Sequence, residues 1–281
     1  MMIKLPSLRE VVDQYGLMAK KSLGQNFLLD QNITDKIIKL SLEAQRQADF
    51  SNASVYEIGP GPGGLTRAIL QAKPQTLTVI EMDSRCIQIM QDLKNSGYPQ
   101  LRIVEGDALR YDFLADELSN KNIVSNLPYN ISVPLLLKWL RQIKEYQSLT
   151  LMFQKEVAER IMAIPNSKVY GRISVLAQLM CQIKPLMNLH PACFTPAPKI
   201  WSTVLLFVPK EQVPELVLLQ MVEKLTEVAF GQRRKMIRQS LKSVKNLEQI
   251  CAKLQISPTA RAENISPQQY LQIAQSIMQL Q

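Results

Sequence analysis

Short apolar runs alternate with longer amphipathic stretches between Ser54 and Pro209, and this alternation predicts a mostly parallel β-sheet with right-handed helical crossovers. Strands are predicted at residues 55–58, 77–80, 122–125, 149–153 and 202–208, with another beginning at residue 101. Helices are predicted at residues 155–163 and 31–42, the latter capped by Asn32 or Thr34. The pattern therefore indicates an α/β fold, with helical cover supplied by residues 1 to about 50.

Two prolines, Pro209 and Pro214, interrupt this pattern and mark a linker. From Leu216 onward the apolar positions recur only with the helical period of about 3.6 residues. We therefore predict an α/β domain at residues 1–209 and a small all-helical domain at residues 210–281. A chain of 281 residues, 46% of them hydrophobic, can form the cores of one large and one small domain.

Basic residues outnumber acidic residues by 33 to 24, which gives a formal net charge of +9. Residues 233–245 contain six basic residues and no acid, and their apolar positions follow a helical pattern. This predicts a helix with a basic stripe suited to the phosphates of a nucleic acid, the alternative being an ordinary solvated helix face. The predicted phosphate contacts are four residues of this stretch and two lysines near the N-terminus: Arg233, Arg234, Lys235, Arg238, Lys20 and Lys21.

The four cysteines, Cys86, Cys181, Cys193 and Cys251, are dispersed and form no C-x-x-C pair, so we expect reduced thiols in a cytoplasmic protein. No metal is expected, because Cys181, His190 and Cys193 lack a fourth ligand and the paired spacing of a zinc site. No apolar run approaches the roughly 18 to 20 residues that cross a bilayer, so no membrane contact is expected. No exposed heptad demands a partner, and we expect a monomer.

A glycine-rich turn follows the first predicted strand, and it contains Gly59, Gly61, Gly63 and Gly64. The spacing also satisfies the dinucleotide pattern G-x-G-x-x-G, so a nicotinamide cofactor is an alternative, as is a simple strand-to-helix turn. The prolines at 60 and 62 each remove a backbone donor that a pyrophosphate would need. A cofactor without phosphates, such as S-adenosylmethionine, tolerates that loss, and we predict that Gly59 and Gly61 border it.

Polar residues end the next predicted strands. Glu81 is placed to accept hydrogen bonds from both hydroxyls of a ribose, and Asp107 to accept one from the amino group of the cofactor's adenine. The alternatives are a solvated acid at a strand end and an ordinary turn residue. Because open α/β sheets bind ligands at the carboxyl ends of their strands, these acids, the glycine turn and Asn126 are expected to lie together.

The run from Asn126 to Asn130 carries the reactive chemistry that we predict for an adenine amino group. The lone pair of that amine is delocalised into the ring, so two acceptors aimed at its hydrogens are needed to make it nucleophilic. Asn126 offers a side-chain oxygen, and Leu127 offers a carbonyl held extended by Pro128. Tyr129 offers a flat face for the base. The alternative is a strand end followed by a proline turn.

Five separated segments resemble the ribosomal RNA adenine N6-dimethyltransferase family that acts on small-subunit rRNA. They comprise residues 20–28, 57–66, 126–130, 194–204 and 229–235, in the order that the family has them. The resemblance implies a Rossmann-like S-adenosylmethionine-dependent methyltransferase sheet and a helical C-terminal RNA-binding domain. It implies cofactor contacts at Asn26, Leu28, Gly59, Glu81, Asp107 and Asn126.

The same resemblance implies a target and a partner. The target is a pair of adjacent adenosines in the hairpin loop near the 3′ end of small-subunit (16S) rRNA, and the partner is the small ribosomal subunit late in its assembly. Methylases of large-subunit rRNA or of DNA are alternatives, against which the segments at 194–198 and 232–235 argue. A binding protein with a vestigial site is another alternative, against which the intact run from Asn126 to Tyr129 argues.

Overall fold

The computed structural model describes residues 5–17, 26–115, 120–257 and 259–279. The chain divides into two compact units. One comprises Met1–Lys138, Lys144–Lys155 and Lys184–Val208, and the other comprises Trp139–Ile143, Glu156–Ile183 and Pro209–Gln281. The predicted domains at 1–209 and 210–281 differ from this division, because residues 139–143 and 156–183 fall in the first predicted domain but belong to the second unit. Lys20 and Lys21, two of the predicted phosphate contacts, lie outside the described residues.

Regular elements alternate along the first half of the chain. They are α1 (Leu8–Gln14), β1 (Phe27–Leu28), α2 (Gln31–Gln45), β2 (Ser54–Ile58), α3 (Gly64–Gln71), β3 (Thr76–Glu81), α4 (Ser84–Asn95), β4 (Leu101–Glu105) and β5 (Lys121–Ser125). The remaining elements are α5 (Tyr129–Leu140), β6 (Tyr146–Gln154), α6 (Lys155–Met162), α7 (Arg172–Met180), β7 (Cys181–Leu189), β8 (Phe194–Thr195), β9 (Ser202–Pro209), α8 (Leu216–Gly231), α9 (Ile237–Ser240), α10 (Leu247–Lys253) and α11 (Pro267–Gln279).

Seven strands form the main sheet in the order β4-β3-β2-β5-β6-β9-β7. The five strands from β4 to β6 are parallel, and β9 runs antiparallel to β6. Strands β2 and β5 are buried at all five of their positions, as expected for central strands of a parallel sheet with both faces covered. The predicted α/β class and mostly parallel sheet are confirmed.

Strand β7 was not predicted from the sequence. Its central residues are largely exposed or half-buried, and Pro185 lies within it, so it lacks the continuous apolar run of the central strands. A separate two-stranded sheet pairs β1 with β8, with Leu28 opposite Phe194 and Phe27 opposite Thr195. β1 and β8 therefore form no part of the seven-stranded sheet.

Helix α2 begins three residues after β1 and packs on the sheet through Ile37, Ile38 and Leu42, all of which are buried. The prediction that Asn32 or Thr34 caps α2 was wrong, because Asp30 is the N-cap and its side chain accepts a hydrogen bond from the Asn32 backbone.

The second unit is held together around buried aromatic rings. Tyr170 and Tyr270 are both fully buried, and the ring of Phe230 lies 5.9 Å and 6.1 Å from theirs. Each tyrosine hydroxyl donates to a backbone carbonyl, at 3.0 Å for Tyr170 and 2.9 Å for Tyr270. After Pro209, the regular elements in the described part of the chain are helices and one isolated β-bridge.

The prediction of one helix across residues 233–245 was wrong. Helix α8 ends at Gly231, and within this stretch only α9, four residues long, is α-helical. The backbone N–H of Ile237 donates to the carbonyl of Ala260 at 2.7 Å, so a tertiary bond replaces a helical one. The apolar residues Ile237 and Leu241 are buried as separate anchors of a turn-rich segment.

Across the part of the chain that the structure describes, we find no helix with both the length and the apolar surface required to cross a membrane.

Candidate active site

A cavity of about 330 Å³ opens at the carboxyl ends of β2, β3 and β5, within the first unit. This is within the size range of small-molecule sites, roughly 300 to 1,000 Å³. The cavity is lined by all ten residues predicted to contact the cofactor or the target amine: Asn26, Leu28, Gly59, Gly61, Glu81, Asp107, Asn126, Leu127, Pro128 and Tyr129. The structure thus brings together residues that are up to a hundred positions apart in the sequence.

The glycine turn lines the cavity through Gly59, Gly61 and Gly64, together with Pro60 and Pro62. Gly59, Gly61 and Gly63 all have positive φ angles, of 66°, 55° and 92°, which favour glycine. A Cβ atom added at Gly61 would lie 3.0 Å from ring carbons of Phe27, and one added at Gly64 would lie 2.8 Å from the carbonyl oxygen of Leu28. The backbone of the turn therefore packs closely against β1, and a side chain at Gly61 or Gly64 would collide with it.

Glu57 lies beneath this turn and is 1% exposed. Burial raises the pKa of its carboxyl to about 8, the hydrogen bond from the Thr66 hydroxyl opposes that rise, and the charge of Glu81 adds to it. The Thr66 hydroxyl donates to Glu57 at 2.7 Å. Nothing in the sequence pattern around Glu57 shows that its carboxyl is enclosed, so no separate role for it could be predicted.

Glu81 ends β3 with its carboxylate held by backbone. One oxygen accepts hydrogen bonds from the N–H groups of Met82 at 2.7 Å and Asp83 at 2.9 Å. Burial raises the pKa of Glu81, and these backbone hydrogen bonds oppose the rise. Because two carboxylate oxygens can accept about four hydrogen bonds, capacity remains for the hydroxyls of a ligand.

Asp107 is a turn residue, which was the alternative to a cofactor contact, and it also lines the cavity. Its carboxylate accepts the Leu109 N–H at 2.9 Å, and its backbone carbonyl accepts the N–H groups of Arg110 and Tyr111. These bonds fix the loop that follows β4. The two readings of Asp107 are therefore compatible.

A lysine that the sequence analysis did not single out also holds this loop. Lys138 of α5 donates to the carbonyls of Ala108 at 3.3 Å, Leu109 at 2.9 Å and Tyr111 at 2.5 Å. Its ammonium nitrogen lies 5.2 Å from the centre of the Phe113 ring. The helix that begins at Tyr129 thereby anchors the loop that carries Asp107.

The predicted catalytic run connects β5 directly to α5. The Ser125 hydroxyl donates to the Ile58 carbonyl at 2.7 Å, which ties the end of β5 to the start of the glycine turn. The side-chain amide of Asn126 donates to the Asn26 carbonyl at 3.2 Å. The side-chain nitrogen of Asn126 is thus hydrogen-bonded within the protein, and the side-chain oxygen stays available as an acceptor at the cavity wall.

Tyr129 is half-buried in the cavity wall. Its hydroxyl lies 2.7 Å from the hydroxyl of Ser202, the first residue of β9. Burial raises the pKa of Tyr129, and the hydrogen bond with Ser202 opposes the rise. The contact fixes the ring from a strand that lies 73 positions away in sequence, which no local pattern could reveal.

The predicted basic residues of the C-terminal stretch have different surroundings. Arg233 donates to Glu263 and to the Lys168 carbonyl, both at 2.7 Å, so its guanidinium is engaged within the second unit. Arg234, Lys235 and Arg238 are exposed. The last three therefore remain the better candidates for phosphate contact.

The sheet topology, glycine turn and cavity define a Rossmann-like S-adenosylmethionine-dependent methyltransferase. The chain matches the family described as "Ribosomal RNA adenine dimethylase" over residues 16–279, and it belongs to that family.

Two similar proteins support the assignment, and a third shares the fold. "Ribosomal RNA small subunit methyltransferase A" of Rhodospirillum rubrum is 43% identical over 273 residues, covering 97% of this chain and 93% of the relative. The crystal structure of a dimethyladenosine transferase from Plasmodium falciparum superposes with a TM-score of 0.72 at 26% identity, covering 89% of this chain and 96% of that one. The 23S rRNA methyltransferase ErmE shares the fold, with a TM-score of 0.67 at 22% identity over 90% of this chain and all of its own.

Proposed function

We propose that the protein transfers methyl groups from S-adenosylmethionine to N6 of two adjacent adenosines in the hairpin loop near the 3′ end of small-subunit (16S) rRNA. The product is N6,N6-dimethyladenosine, formed on the small ribosomal subunit late in its assembly. The observation that carries the proposal is Asn126, whose amide nitrogen is bound to Asn26 while its oxygen stays available in the cavity that the glycine turn lines. The names of the relatives support the rRNA target.

The residues present fit S-adenosylmethionine. The turn from Gly59 to Gly64 gives close backbone approach, while Pro60 and Pro62 remove donors that only a phosphate would need. Glu81 would hold the ribose hydroxyls, Asp107 the adenine amino group, and Asn26 and Leu28 would close the site. When bound, the cofactor supplies a methyl group on a positively charged sulfur.

The target amine is activated by two acceptors of this chain. The side-chain oxygen of Asn126 and the backbone carbonyl of Leu127 accept its two N–H groups, which draws the nitrogen toward tetrahedral geometry and localises its lone pair. Tyr129, held by Ser202, supplies the surface on which the extruded base rests. These residues orient and desolvate the amine.

No general base is required by this arrangement. The amine becomes strongly acidic once it gains a methyl group and a positive charge, so its proton passes to water. A monomethylated adenine keeps one N–H for Asn126 or Leu127, which allows the second methylation in the same pocket. The rate is then set by positioning rather than by a titrating side chain.

The first experiment identifies the product and its target. Purified protein is incubated with methyl-labelled S-adenosylmethionine and, separately, immature small subunits, large-subunit rRNA and DNA, and the labelled nucleoside is identified. We expect N6,N6-dimethyladenosine in small subunits alone. Label in another nucleic acid would move the target, and tight binding to small subunits without label would contradict the reaction.

The role of Asn126 is tested by Asn126→Ala, with Asn95→Ala on an exposed part of α4 as the matched control. We expect Asn126→Ala to abolish methyl transfer and to leave the affinity for immature small subunits nearly unchanged, because it removes an acceptor for the amine and no phosphate contact. Asn95→Ala is expected to behave as the unmodified protein. A large loss of affinity with Asn126→Ala would contradict the role assigned to this residue.

A further inference from the structure

Trp201 is an exposed aromatic residue with a fixed position. Trp201 is 44% exposed. Its ring packs edge-to-face against the ring of His190, with 5.0 Å between the ring centroids and an interplanar angle of 84°. Its carbonyl accepts the backbone N–H of Lys155 at 2.9 Å. One part of the ring is thus supported by protein while much of it faces water, although burial of such a ring is strongly favourable.

The location of Trp201 relates it to the site of the target base. It immediately precedes Ser202, whose hydroxyl holds Tyr129 at 2.7 Å. Ser202 pairs with Gln154 at the carboxyl end of β6, and that end lies at the same edge of the parallel sheet as the cavity. Consecutive Cα atoms are about 3.8 Å apart, so Trp201 stands beside the wall that positions Tyr129.

The surroundings of Trp201 are suited to a polyanion. Lys199 and Lys155 are both exposed, one two positions away in sequence and the other bonded to the Trp201 backbone. The chain as a whole carries a formal net charge of +9. Aromatic rings next to basic side chains bind single-stranded nucleic acid by stacking on bases while the cations meet phosphates.

We propose that Trp201 stacks on an unpaired nucleotide that flanks the target adenosine in the RNA. This rests on the proposed function and adds a specificity-determining contact outside the cavity. The target base enters beside Tyr129, and the neighbouring base, displaced from its own stack by that extrusion, gains a replacement partner in the indole ring. Because His190 fixes the ring beforehand, little side-chain entropy is lost on binding.

Intrinsic fluorescence can test this contact directly. The chain has two tryptophans, and the other one, Trp139, is 0% exposed. An RNA hairpin with two adjacent adenosines in its loop is titrated into the protein, and tryptophan emission is followed. We expect quenching that saturates with RNA binding. In Trp201→Phe, where only the buried Trp139 emits, the quenching is expected to vanish while binding is largely kept.

The energetic part of the proposal is tested with Trp201→Ala, using Ile200→Ala, 36% exposed, as the matched apolar control. Stacking on a single base is worth about 1–3 kcal/mol by alanine substitution, so Trp201→Ala should weaken binding to RNA and to immature small subunits by about 5-fold to 150-fold. The salt dependence of binding should stay unchanged, because no phosphate contact is lost. Trp201→Phe should recover most of the affinity.

Two results would overturn the inference. One is unchanged emission of the unmodified protein at RNA concentrations that saturate binding, and the other is a Trp201→Ala affinity equal to that of Ile200→Ala. Either result, obtained while the unmodified protein still dimethylates adenosine in small subunits, rejects the role of Trp201 alone. Failure of the methylation itself would be seen separately, in the labelled product of the unmodified protein.

Discussion

Replacing Lys138 with methionine is expected to loosen the loop after β4 and to weaken cofactor binding without touching the cavity. The ammonium group of Lys138 donates to three carbonyls of residues 108–111, and none of these contacts involves a residue that we place against the target amine. Methionine keeps most of the aliphatic length and removes the charge. The perturbation therefore isolates the hydrogen bonds from α5 to the loop.

The size of the effect follows from those three bonds. Hydrogen bonds to charged groups contribute about 1.5–3 kcal/mol each, but three bonds that share one ammonium are not additive, and the carbonyls regain water when the loop opens. Burial lowers the pKa of Lys138, a sign that the charged form loses hydration where it sits, although Asp112 and Asp107 oppose this. The cation–π contact with Phe113 adds about 0.5–1 kcal/mol. We expect a total loss of about 2–3 kcal/mol.

This loss should appear in cofactor affinity, because the loop from Gly106 to Leu109 lines the cavity. An apparent dissociation constant rises in proportion to the fraction of protein whose loop is out of place. If the ordered loop falls to about one tenth of the population, the dissociation constant of S-adenosylhomocysteine rises about 10-fold. Calorimetric titration of the RNA-free protein measures this value, and the free energy of unfolding is measured in parallel.

Lys121→Met provides the matched control. Lys121 begins β5, is buried, and donates to the Phe113 carbonyl at 3.0 Å, so it holds the same segment at a point that does not line the cavity. We expect Lys121→Met to lower the free energy of unfolding while changing the cofactor dissociation constant by less than about 2-fold. Equal weakening of cofactor binding by both variants would show a general loss of stability and refute the reasoning about Lys138.

Four further variants test other parts of the structure. The folded protein keeps a proton on Glu57 that the unfolded chain releases above pH 4.5, so Glu57 should lower the free energy of unfolding by at most about 5 kcal/mol as pH rises from 4.5 toward about 8. In urea titrations, Glu57→Gln should remove this contribution and leave only the smaller fall of the same sign that the raised pKa of Glu81 produces. Gly64→Ala should reduce both thermal stability and cofactor affinity, since its Cβ atom would lie 2.8 Å from a carbonyl of β1, and unchanged values would show that β1 can shift freely. Arg233→Met should lower the free energy of unfolding by about 1–3 kcal/mol, because it removes the ion pair with Glu263. Arg238→Met should leave the free energy of unfolding unchanged. It should reduce the slope of log affinity against log salt concentration for RNA binding by the amount expected for about one phosphate contact.

The central strands could be predicted from the sequence because their physical cause is local. Residues 55–58 and 122–125 are short stretches rich in β-branched residues, each followed by glycine or a polar residue, and such stretches are typical of strands in a sheet whose two faces are covered. β7 escaped prediction because an exposed strand containing a proline has no such pattern. The helix predicted at 233–245 was wrong because the apolar residues of this segment have helical spacing, but a tertiary hydrogen bond gives its backbone a different conformation.

The cavity residues could be predicted in the same way, but the residues that hold them in place could not. Asn126 follows a strand and is recognisable, whereas the carbonyl of Asn26 that orients it lies 100 positions away. Ser202 and Lys138 act through contacts that span 73 and roughly 30 positions. Sequence patterns report on the position of a residue within its own element, and these supporting contacts depend on which elements become neighbours.

The order of the strands determines which residues of the cavity lie on each side of the glycine turn. The chain passes from β2 outward through β3 and β4, then returns to β5 on the other side of β2, so the glycine turn after β2 lies where the strand order reverses. Glu81 and Asp107 are brought to one side of that turn by β3 and β4, while Asn126 and Tyr129 are brought to the other by β5 and α5. Glu81 and Asp107, assigned to the cofactor alone, and Leu127 and Tyr129, assigned to the adenine amine alone, therefore come from separate halves of the sheet, while Asn126 is assigned to both. Substitutions on the β4 side should therefore change cofactor affinity, substitution of Tyr129 should change the handling of RNA, and substitution of Asn126 should change both cofactor affinity and methyl transfer.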